Sequence, residues 1–195
     1  MKTIALAAIA GLAAAASAQN FSLTLVPSTM TVDTSGGAAT FTMTVFGDAD
    51  VGTHLLGGAF GLAANGGGDT VQGMSWSPAA WSAFNTDGGY AGNGNYNTVV
   101  YGQLVIPGIF PPAPGSELGS AIGSFTVTVD GAGVLDYQLT AGSPFSLEVV
   151  DAVSGATQND AGGISLGGAT INVVPAPSAM ALLGLGGLVA GRRRR

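Results

Sequence analysis

The sequence predicts an all-β fold, an antiparallel β-sandwich over residues 19–174, flanked by an N-terminal signal helix and a short C-terminal apolar helix. Three observations predict it. Apolar and polar residues alternate in short runs, glycine-rich breaks separate the runs, and the 3.6-residue period of a helix is almost absent from residues 19–174. Many short strands with spaced turns are typical of a sandwich.

Five runs alternate in the same way, with apolar residues at odd positions and polar residues at even positions. These runs are residues 21–25, 40–45, 125–129, 135–139 and 145–149. Successive side chains of a strand point to opposite faces, so each odd-numbered set predicts a row that faces the core. Threonine, which is frequent at the even positions, suits the solvated face of a strand. Further strands are predicted at residues 55–62, 71–76, 98–106 and 164–173.

Glycine and proline mark the connections. Glycine-rich turns are predicted at residues 35–37, 65–68, 87–89 and 130–133. The last of these lies between two alternating runs, which predicts a hairpin. Residues 107–114 contain four prolines and predict a loop at one end of the sandwich. One helical turn is predicted over residues 79–84, because Ser77 can cap it, Pro78 suits its first position and Asn85 can end it.

Charge is low and unevenly distributed. Only 8% of the 195 residues are charged, five basic and eleven acidic. The basic residues are Lys2 and the four C-terminal arginines, so residues 3–191 carry negative charge alone. Such a surface cannot neutralise phosphates, which excludes nucleic acid as a partner. The chain has no cysteine, which excludes disulfides, thiolate nucleophiles and zinc–thiolate sites.

Residues 1–18 have the features of a secretory signal peptide. Lys2 supplies the positive charge, and the apolar residues 4–16 form a stretch too short to span a bilayer. Ala16-Ser17-Ala18 matches the small-x-small pattern that signal peptidase cuts. The mature protein is therefore expected to begin at Gln19.

Residues 175–195 combine a proline break, an apolar stretch and a basic cluster. Residues 178–191 are apolar, and as a helix they would be about 21 Å long, against about 30 Å of hydrocarbon. This length predicts a short, weak membrane-spanning segment. Arginines remain on the cytoplasmic side of a membrane, which places the domain outside. The residues of the break and the cluster are Val174, Pro175, Ala176, Pro177, Arg192, Arg193, Arg194 and Arg195.

This order of parts resembles the PEP-CTERM sorting signal. The usual Pro-Glu-Pro of that family stands here as Pro175-Ala176-Pro177, without the middle acid. The resemblance implies an exosortase-type membrane protease as a partner, transient contact with the inner membrane, and a Gram-negative bacterium that makes extracellular polysaccharide. A plain C-terminal membrane anchor is the alternative interpretation.

The order of predicted strands resembles that of cohesin-like sandwiches. Two N-terminal strands, the segment Ala59-Phe60-Gly61-Leu62-Ala63 before the capped turn, and a late strand at residues 119–129 carry the resemblance. It implies a cohesin-like or jelly-roll architecture. Cohesins bind a helical dockerin, but no dockerin-contacting residue maps onto this chain, so the resemblance implies no partner.

An aromatic segment is the first candidate site. Flat rings stack on sugars and amides bond hydroxyls, so its rings and the neighbouring asparagines Asn85, Asn93, Asn95 and Asn97 predict a glycan platform. The rings belong to Trp76, Trp81, Tyr90, Tyr96 and Tyr101. The alternative is that they fill one end of the sandwich. Trp81 and Phe84 are expected to face inward, and at least one of Tyr90 and Tyr96 to be exposed.

Asp48 and Asp50 are candidate calcium ligands. Carboxylates at alternate positions, followed by the flexible Gly52, can offer several oxygens to one hard cation. A solvated strand end is the alternative, and no cofactor other than Ca²⁺ is expected. His54 is the single histidine, and Ser165 lies in a literal G-x-S-x-G. Neither is expected to be catalytic. A nucleophile elbow requires a helix after the serine and a histidine later in the chain, whereas glycines follow Ser165 and His54 comes before it.

Together these features favour a non-enzymatic protein that is secreted or sorted to the cell surface. Its role is interpreted as structural or adhesive, in the cell envelope or the exopolysaccharide matrix, including biofilm. The expected partners are signal peptidase, an exosortase-type protease and exopolysaccharide. One alternative is a carbohydrate-binding module that uses residues 76–101. Another is a polysaccharide hydrolase that uses two of the eleven carboxylates.

Overall fold

The computed structural model describes residues 20–160 and 163–175, and it folds them into two β-sheets that enclose one core. The predicted all-β sandwich is confirmed. The two predicted helices, at residues 1–18 and 178–191, lie outside the described residues. The strands in chain order are β1 Phe21–Pro27, β2 Thr31–Asp33, β3 Ala39–Ala49, β4 His54–Gly66, β5 Val71–Pro78, β6 Thr86–Asp87, β7 Tyr90–Gly92, β8 Asn95–Gly102, β9 Ala121–Val129, β10 Gly133–Ala141, β11 Glu148–Val150, β12 Thr157–Asn159, β13 Ile164–Leu166 and β14 Gly168–Val174.

The smaller sheet has the strand order β13-β1-β3-β9-β5. Its pairs are antiparallel except for β1 and β13, which run parallel. Phe21, Leu23 and Leu25 on β1 are buried, and so are the large odd-numbered apolar residues of β3 and β9, which are Phe41, Met43, Val45, Phe125, Val127 and Val129. The alternation therefore predicted the inner face of this sheet correctly.

The larger sheet has the order β12-β11-β4-β10-β14-β2, with β8 on the second edge of β4 and with β6 and β7 on β8. β11 and β10 pair with successive parts of one edge of β4, because β11 opposes its first residues and β10 its last. Gly57 lies between Glu148 of β11 and Gly102 of β8. β2 and β14 form the second parallel pair.

The predicted hairpin at residues 130–133 is wrong. β9 pairs with β3 and β5 in the smaller sheet, whereas β10 pairs with β4 and β14 in the larger one. The Asp130 N–H donates to Thr70 O at 2.9 Å, across to another loop. Residues 130–133 thus connect the two sheets, a choice that the alternation on either side does not encode.

The predicted helical turn at residues 79–84 is also wrong. β5 continues through Pro78, which lies opposite Gly123, so the chain is still extended where the helix should begin. One turn follows, in which Ser82 N–H donates to Ala79 O. The next amides, of Ala83 and Phe84, both donate to Gly102 O instead of to a helical ladder.

Two predicted strands are divided or shortened. Residues 164–173 form β13 and β14 in different sheets, and the joint between them is Gly167, which bonds Leu23 O on one side and the Leu139 N–H on the other. Residues 145–149 contribute only β11, which begins at Glu148, and Phe145 lies on the surface although its position predicts burial.

The described chain begins and ends at opposite ends of the sandwich. Phe21 lies beside Ile164 and opposite Ala49, at the end where β4 also begins. Val173 lies opposite Gly133, beyond the last residue of β4. The end that carries Asn20 is called the N-terminal end below, and the other the C-terminal end.

Candidate functional site

An apolar groove of about 340 Å³ opens at the N-terminal end, where β4 pairs with β8. The segment after β5 and the segment before β11 form its sides. Large apolar side chains and glycines of β4 and β8 dominate its lining: Leu56, Gly57, Gly58, Phe84, Val100, Gly102, Leu104 and Phe145.

Two glycines of β4 let the chains that line the groove approach one another. A Cβ atom on Gly57 would lie 2.9 Å from Tyr101 O, and one on Gly58 would lie 2.6 Å from Leu147 Cδ2. Gly58 also has a φ of 159°. Only a residue without a side chain fits such contacts without displacing its neighbours.

Phe84 is fixed in place by the backbone of β8. The Gly102 N–H donates to Ser82 Oγ at 2.9 Å, and Gly102 O accepts the Phe84 N–H at the same distance. Ser82 is buried, so this connection is shielded from water. The Phe84 side chain is 60% exposed, so the prediction that it faces inward is wrong.

The proline-rich loop that contributes Leu104 is held at both of its ends by Gln103. Its buried amide donates through Nε2 to Leu55 O at 2.6 Å and accepts the Ala113 N–H through Oε1 at 2.7 Å. The loop between these anchors exposes four large apolar residues, Leu104, Ile106, Ile109 and Phe110. Leu104 lines the groove with Phe84 and Phe145, which are also exposed, and an exposed apolar area of this kind marks interaction sites.

Phe145 lies on the opposite side of the groove and is 54% exposed. Two residues later, Leu147 is buried, and its N–H donates to Asp160 Oδ2 at 3.1 Å. This bond and the Gly142 N–H bond to Ala59 O hold the segment between β10 and β11 against β4. Phe145 therefore projects from an anchored segment.

The charged groups at the groove are acidic. Glu148 lines it, and Asp160 lies beside Leu147. Burial raises the pKa of Tyr101 above its ordinary value, and the negative charge of Asp160 raises this pKa further. The Tyr101 hydroxyl consequently stays protonated at neutral pH. Since residues 3–191 contain no Lys or Arg, no basic side chain of the described residues offsets these acids.

The aromatic segment lies inside the sandwich, and the prediction of an exposed stacking platform is wrong. Trp76 is 8% exposed, and Trp81, Tyr96 and Tyr101 are exposed even less. Tyr90 is half-buried, so neither it nor Tyr96 is exposed as predicted. Trp81 faces inward as predicted.

The rings pack against one another and against the core of both sheets. Phe125 of β9 lies 4.7 Å from Trp76 and 5.0 Å from Tyr96 between ring centroids, and Trp81 meets Tyr101 edge to face at 5.9 Å. The hydroxyl of Tyr96 donates to Asp87 Oδ1 at 2.8 Å. These residues are core residues whose polar atoms mostly bond the chain itself.

The asparagines of this segment mostly stabilise turns. Asn85 Nδ2 donates to Ser82 O, Asn95 Nδ2 to Gly92 O, and Asn97 Nδ2 to Gly88 O. Their amides are thus used within the chain, as short polar side chains often are in loops. They do not form a row of amides directed toward a ligand.

Asp48 and Asp50 lie at the N-terminal end, at the end of β3 and just after it. Asp50 accepts the backbone N–H of Asn20 at 3.0 Å and its side-chain N–H at 3.1 Å, one on each carboxylate oxygen. Asp48 accepts the Ala49 N–H at 2.8 Å. Among the described residues no three His, Cys, Asp or Glu side chains lie close enough to hold one metal ion. Calcium binding at Asp48 and Asp50 stays a prediction.

The described neighbours of His54 and Ser165 do not form a catalytic arrangement with either residue. His54 Nδ1 lies 2.9 Å from Thr53 Oγ1, and its backbone forms an isolated bridge with Glu117. Ser165 lies on β13, opposite Ser22 of β1. Ser165 therefore lies within a strand, and another strand, β14, follows it. A nucleophile elbow places the serine in a turn between a strand and a helix, and that arrangement is not formed here.

The sorting-type motif lies at the C-terminal end. Val174 is the last residue of β14, and its carbonyl accepts the Thr34 N–H at 3.0 Å and the Thr34 hydroxyl at 3.2 Å. Pro175 follows directly, and Ala176, Pro177 and the four arginines lie outside the described residues. Within the described part of the chain, no helix is long and apolar enough to cross a membrane.

No family model and no curated protein matches this chain. Cohesins are among the solved structures that match it. A cohesin module from a Clostridium perfringens family 33 glycoside hydrolase is 12% identical, with a TM-score of 0.48 over 82% of this chain and 98% of that one. The seventh ScaB type I cohesin from Pseudobacteroides cellulosolvens is 13% identical, with a TM-score of 0.49 over 82% and 95%. A non-cellulosomal cohesin from Archaeoglobus fulgidus is 10% identical, with a TM-score of 0.39 over 82% and 96%.

The groove was not predicted from the sequence, although one signal for it was present. Residues 98–106 were expected to form one strand, but β8 ends at Gly102. Leu104, Ile106, Ile109 and Phe110 therefore lie in or beside the proline-rich loop, where apolar side chains have no strand to bury them. Large apolar residues in a predicted loop were the available indication of a binding surface.

Proposed function

We propose that this chain is an exported, non-enzymatic protein with a structural or adhesive role in the cell envelope or the exopolysaccharide matrix. Signal peptidase removes residues 1–18, and an exosortase-type protease processes the C-terminal segment. The domain is displayed outside the cell after transient contact with the inner membrane.

The observation that supports processing best is the position at which the folded domain ends. β14 is bonded to β10 and β2 up to Val174, and the proline break starts at the next residue. A protease that cuts beyond Pro177 would leave every one of these pairings intact. The sandwich can thus be released with all of its described strand pairings in place.

The adhesive part of the proposal is supported by the exposed apolar surface around the groove. Phe84, Leu104 and Phe145 line the groove, and each is at least half exposed. Monomeric proteins rarely expose so many large apolar residues together unless the surface binds something. This surface supports a role in binding.

Intact-mass analysis of the protein from a host that encodes an exosortase tests the processing. The expected product begins at Gln19 and lacks the residues beyond about Pro177, and a matched host without the exosortase retains the tail. A double change of Pro175→Ser and Pro177→Ser should reduce cleavage, whereas Pro111→Ser with Pro112→Ser serves as the control. Secreted protein that still carries Arg195 would disprove sorting.

Fractionation of the same cultures tests the location. The protein should be found in the surface or matrix fraction. Variants in which the exposed apolar residues are replaced by serine should no longer be retained in that fraction. An entirely cytoplasmic protein would contradict it.

A further inference from the structure

We infer that the apolar groove binds a cationic, amphipathic segment of another exported protein. This inference rests on the proposed adhesive role and names the chemistry of the partner. Two properties of the groove carry it, its apolar walls and the sign of the charge around it.

The walls fit apolar side chains. Phe84, Leu104 and Phe145 stand around glycine backbone, and each is anchored at its base by main-chain or Gln103 hydrogen bonds. Anchored walls lose little conformational freedom on binding, which favours affinity. About 340 Å³ lies at the small end of the range for ligand sites and accommodates a few aliphatic side chains. The apolar face of a helix that lies in a groove supplies such side chains.

The negative charge around the groove favours basic residues beside the apolar residues of the bound segment. Glu148 lines the groove, Asp160 lies behind Leu147, and no Lys or Arg occurs between residues 3 and 191. A partner with Lys or Arg beside its apolar residues gains attraction both on approach and when bound. An acidic partner is repelled.

The same charge disfavours a second copy of this chain as the occupant. Every copy presents a domain with acidic and no basic side chains, so a symmetric contact would bring two negative surfaces together. An isologous contact would also place Glu148 of each copy in the interface, without a cation to pair it.

Distance disfavours the chain's own C-terminal segment, because that segment leaves the fold at the end opposite the groove. From Gly57 to Gly66 along β4, and on to Gly133 along β10, the distance is about 40 Å at 3.3 Å per residue. Val173 lies at the far end of that path. The apolar residues up to Leu183 fall short of the groove even in a fully extended chain, at about 3.4 Å per residue. Residues 185–191 reach it only if the chain that joins them to Val173 is largely extended, which costs the tail its conformational freedom.

The test uses protein purified from an exporting host and three fluorescent 14-residue peptides. One has leucines at helical spacing on one face and lysines on the other, one has glutamates in place of the lysines, and one has the leucines and lysines scrambled. The leucine–lysine peptide should bind at least tenfold more tightly than either of the others, and about 300 mM NaCl should weaken it several-fold.

Five variants locate the site. Phe145→Ser and Phe84→Ser should weaken binding roughly tenfold or more, while Val134→Ser, an equally exposed apolar residue near the C-terminal end, should have no effect. Glu148→Gln should weaken binding and reduce its salt dependence, and Asp136→Asn, the same change of charge on β10, should do neither. Unchanged melting temperatures would confirm that each variant folds, as expected at exposed positions.

Several results would overturn the inference. These are equal binding of the glutamate or scrambled peptide, equal losses in Phe145→Ser and Val134→Ser, a dimer that Phe145→Ser dissociates, and tighter binding after removal of residues 176–195. The last two would assign the groove to a second copy or to the chain's own tail. Peptide binding by a protein that proves not to be exported would refute the proposed function and leave the chemistry of the groove standing.

Discussion

Replacing each tryptophan by phenylalanine should have very different effects, although both rings are buried in one cluster. The Trp81 Nε1–H donates to Ala121 O at 2.8 Å. Trp76 Nε1 is buried and has no hydrogen-bond partner among the described residues. The same change therefore removes a satisfied donor at one site and an unsatisfied donor at the other.

The magnitudes follow from volume and hydrogen bonding. Each change removes about 40 Å³, which at about 24 cal/mol per Å³ of cavity costs about 1 kcal/mol. The lost apolar transfer adds about 1–2 kcal/mol. At Trp76, relief of a buried unpaired donor returns about 1–3 kcal/mol, so the net loss in the free energy of unfolding should lie near zero and not exceed about 2 kcal/mol. At Trp81, loss of the hydrogen bond raises the total cost to about 3–4 kcal/mol.

Guanidinium unfolding followed by far-ultraviolet circular dichroism measures both values without relying on the tryptophan signal. The midpoint should fall clearly for Trp81→Phe and little for Trp76→Phe, with the same slope for both. Equal losses would show that the Trp76 N–H has a partner in solution and would refute the reasoning. A Trp76→Ala variant completes the series and should lose about 3–5 kcal/mol, as expected of a core ring.

Three further predictions address the backbone, the pH and the salt dependence. Gly123→Ala should lower the free energy of unfolding by about 1–3 kcal/mol, because the new Cβ would lie 2.5 Å from Ser77 O. Gly73→Ala, whose Cβ would have no atom within 4 Å, should change it by no more than about 0.5 kcal/mol. Chemical unfolding of the two variants measures the difference. Burial and the hydrogen bond to Asp87 raise the pKa of Tyr96 to about 12, above about 10 in the unfolded chain. The protonated hydroxyl therefore stabilises the fold fully below pH 10, and this stabilisation is lost as the pH rises toward 12. Alkaline titration of stability should accordingly be flatter in Tyr96→Phe. Moderate NaCl should raise the melting temperature near pH 7 by screening eleven uncompensated acids, and a melting temperature independent of salt would show that they are too far apart to repel.

The sequence predicts the faces of the strands well, and their partners poorly. Alternation is a local property, so Phe41, Met43 and Val45 could be assigned to the core from their spacing alone. Pairing is not local. The turn at residues 130–133 has the composition of a hairpin. It nevertheless connects the two sheets, because β10 pairs with β4 and β14 and not with β9.

Local signals also failed where distant backbone groups offered better bonds. Ser77 and Pro78 favour a helix start, but the carbonyl of Gly102 takes the two amides that the helix needs. The aromatic segment failed for a related reason, because a high density of rings does not tell whether Phe125 of another strand will cover them. The groove combines segments around residues 57, 84, 104 and 145, and no local pattern connects these positions.

Among the described residues, β1 and β2 are the first strands, and their parallel neighbours are β13 and β14, the last ones. Phe21 lies beside Ile164 and Asp33 beside Val174, so each pairing closes a loop of roughly 140 residues. Such long-range closure is slow, and it cannot occur before the final strand has been synthesised and delivered. A chain with this strand order remains open for as long as a ribosome or a translocation channel holds its end. For the exported protein that we propose, folding would then follow transport instead of competing with it.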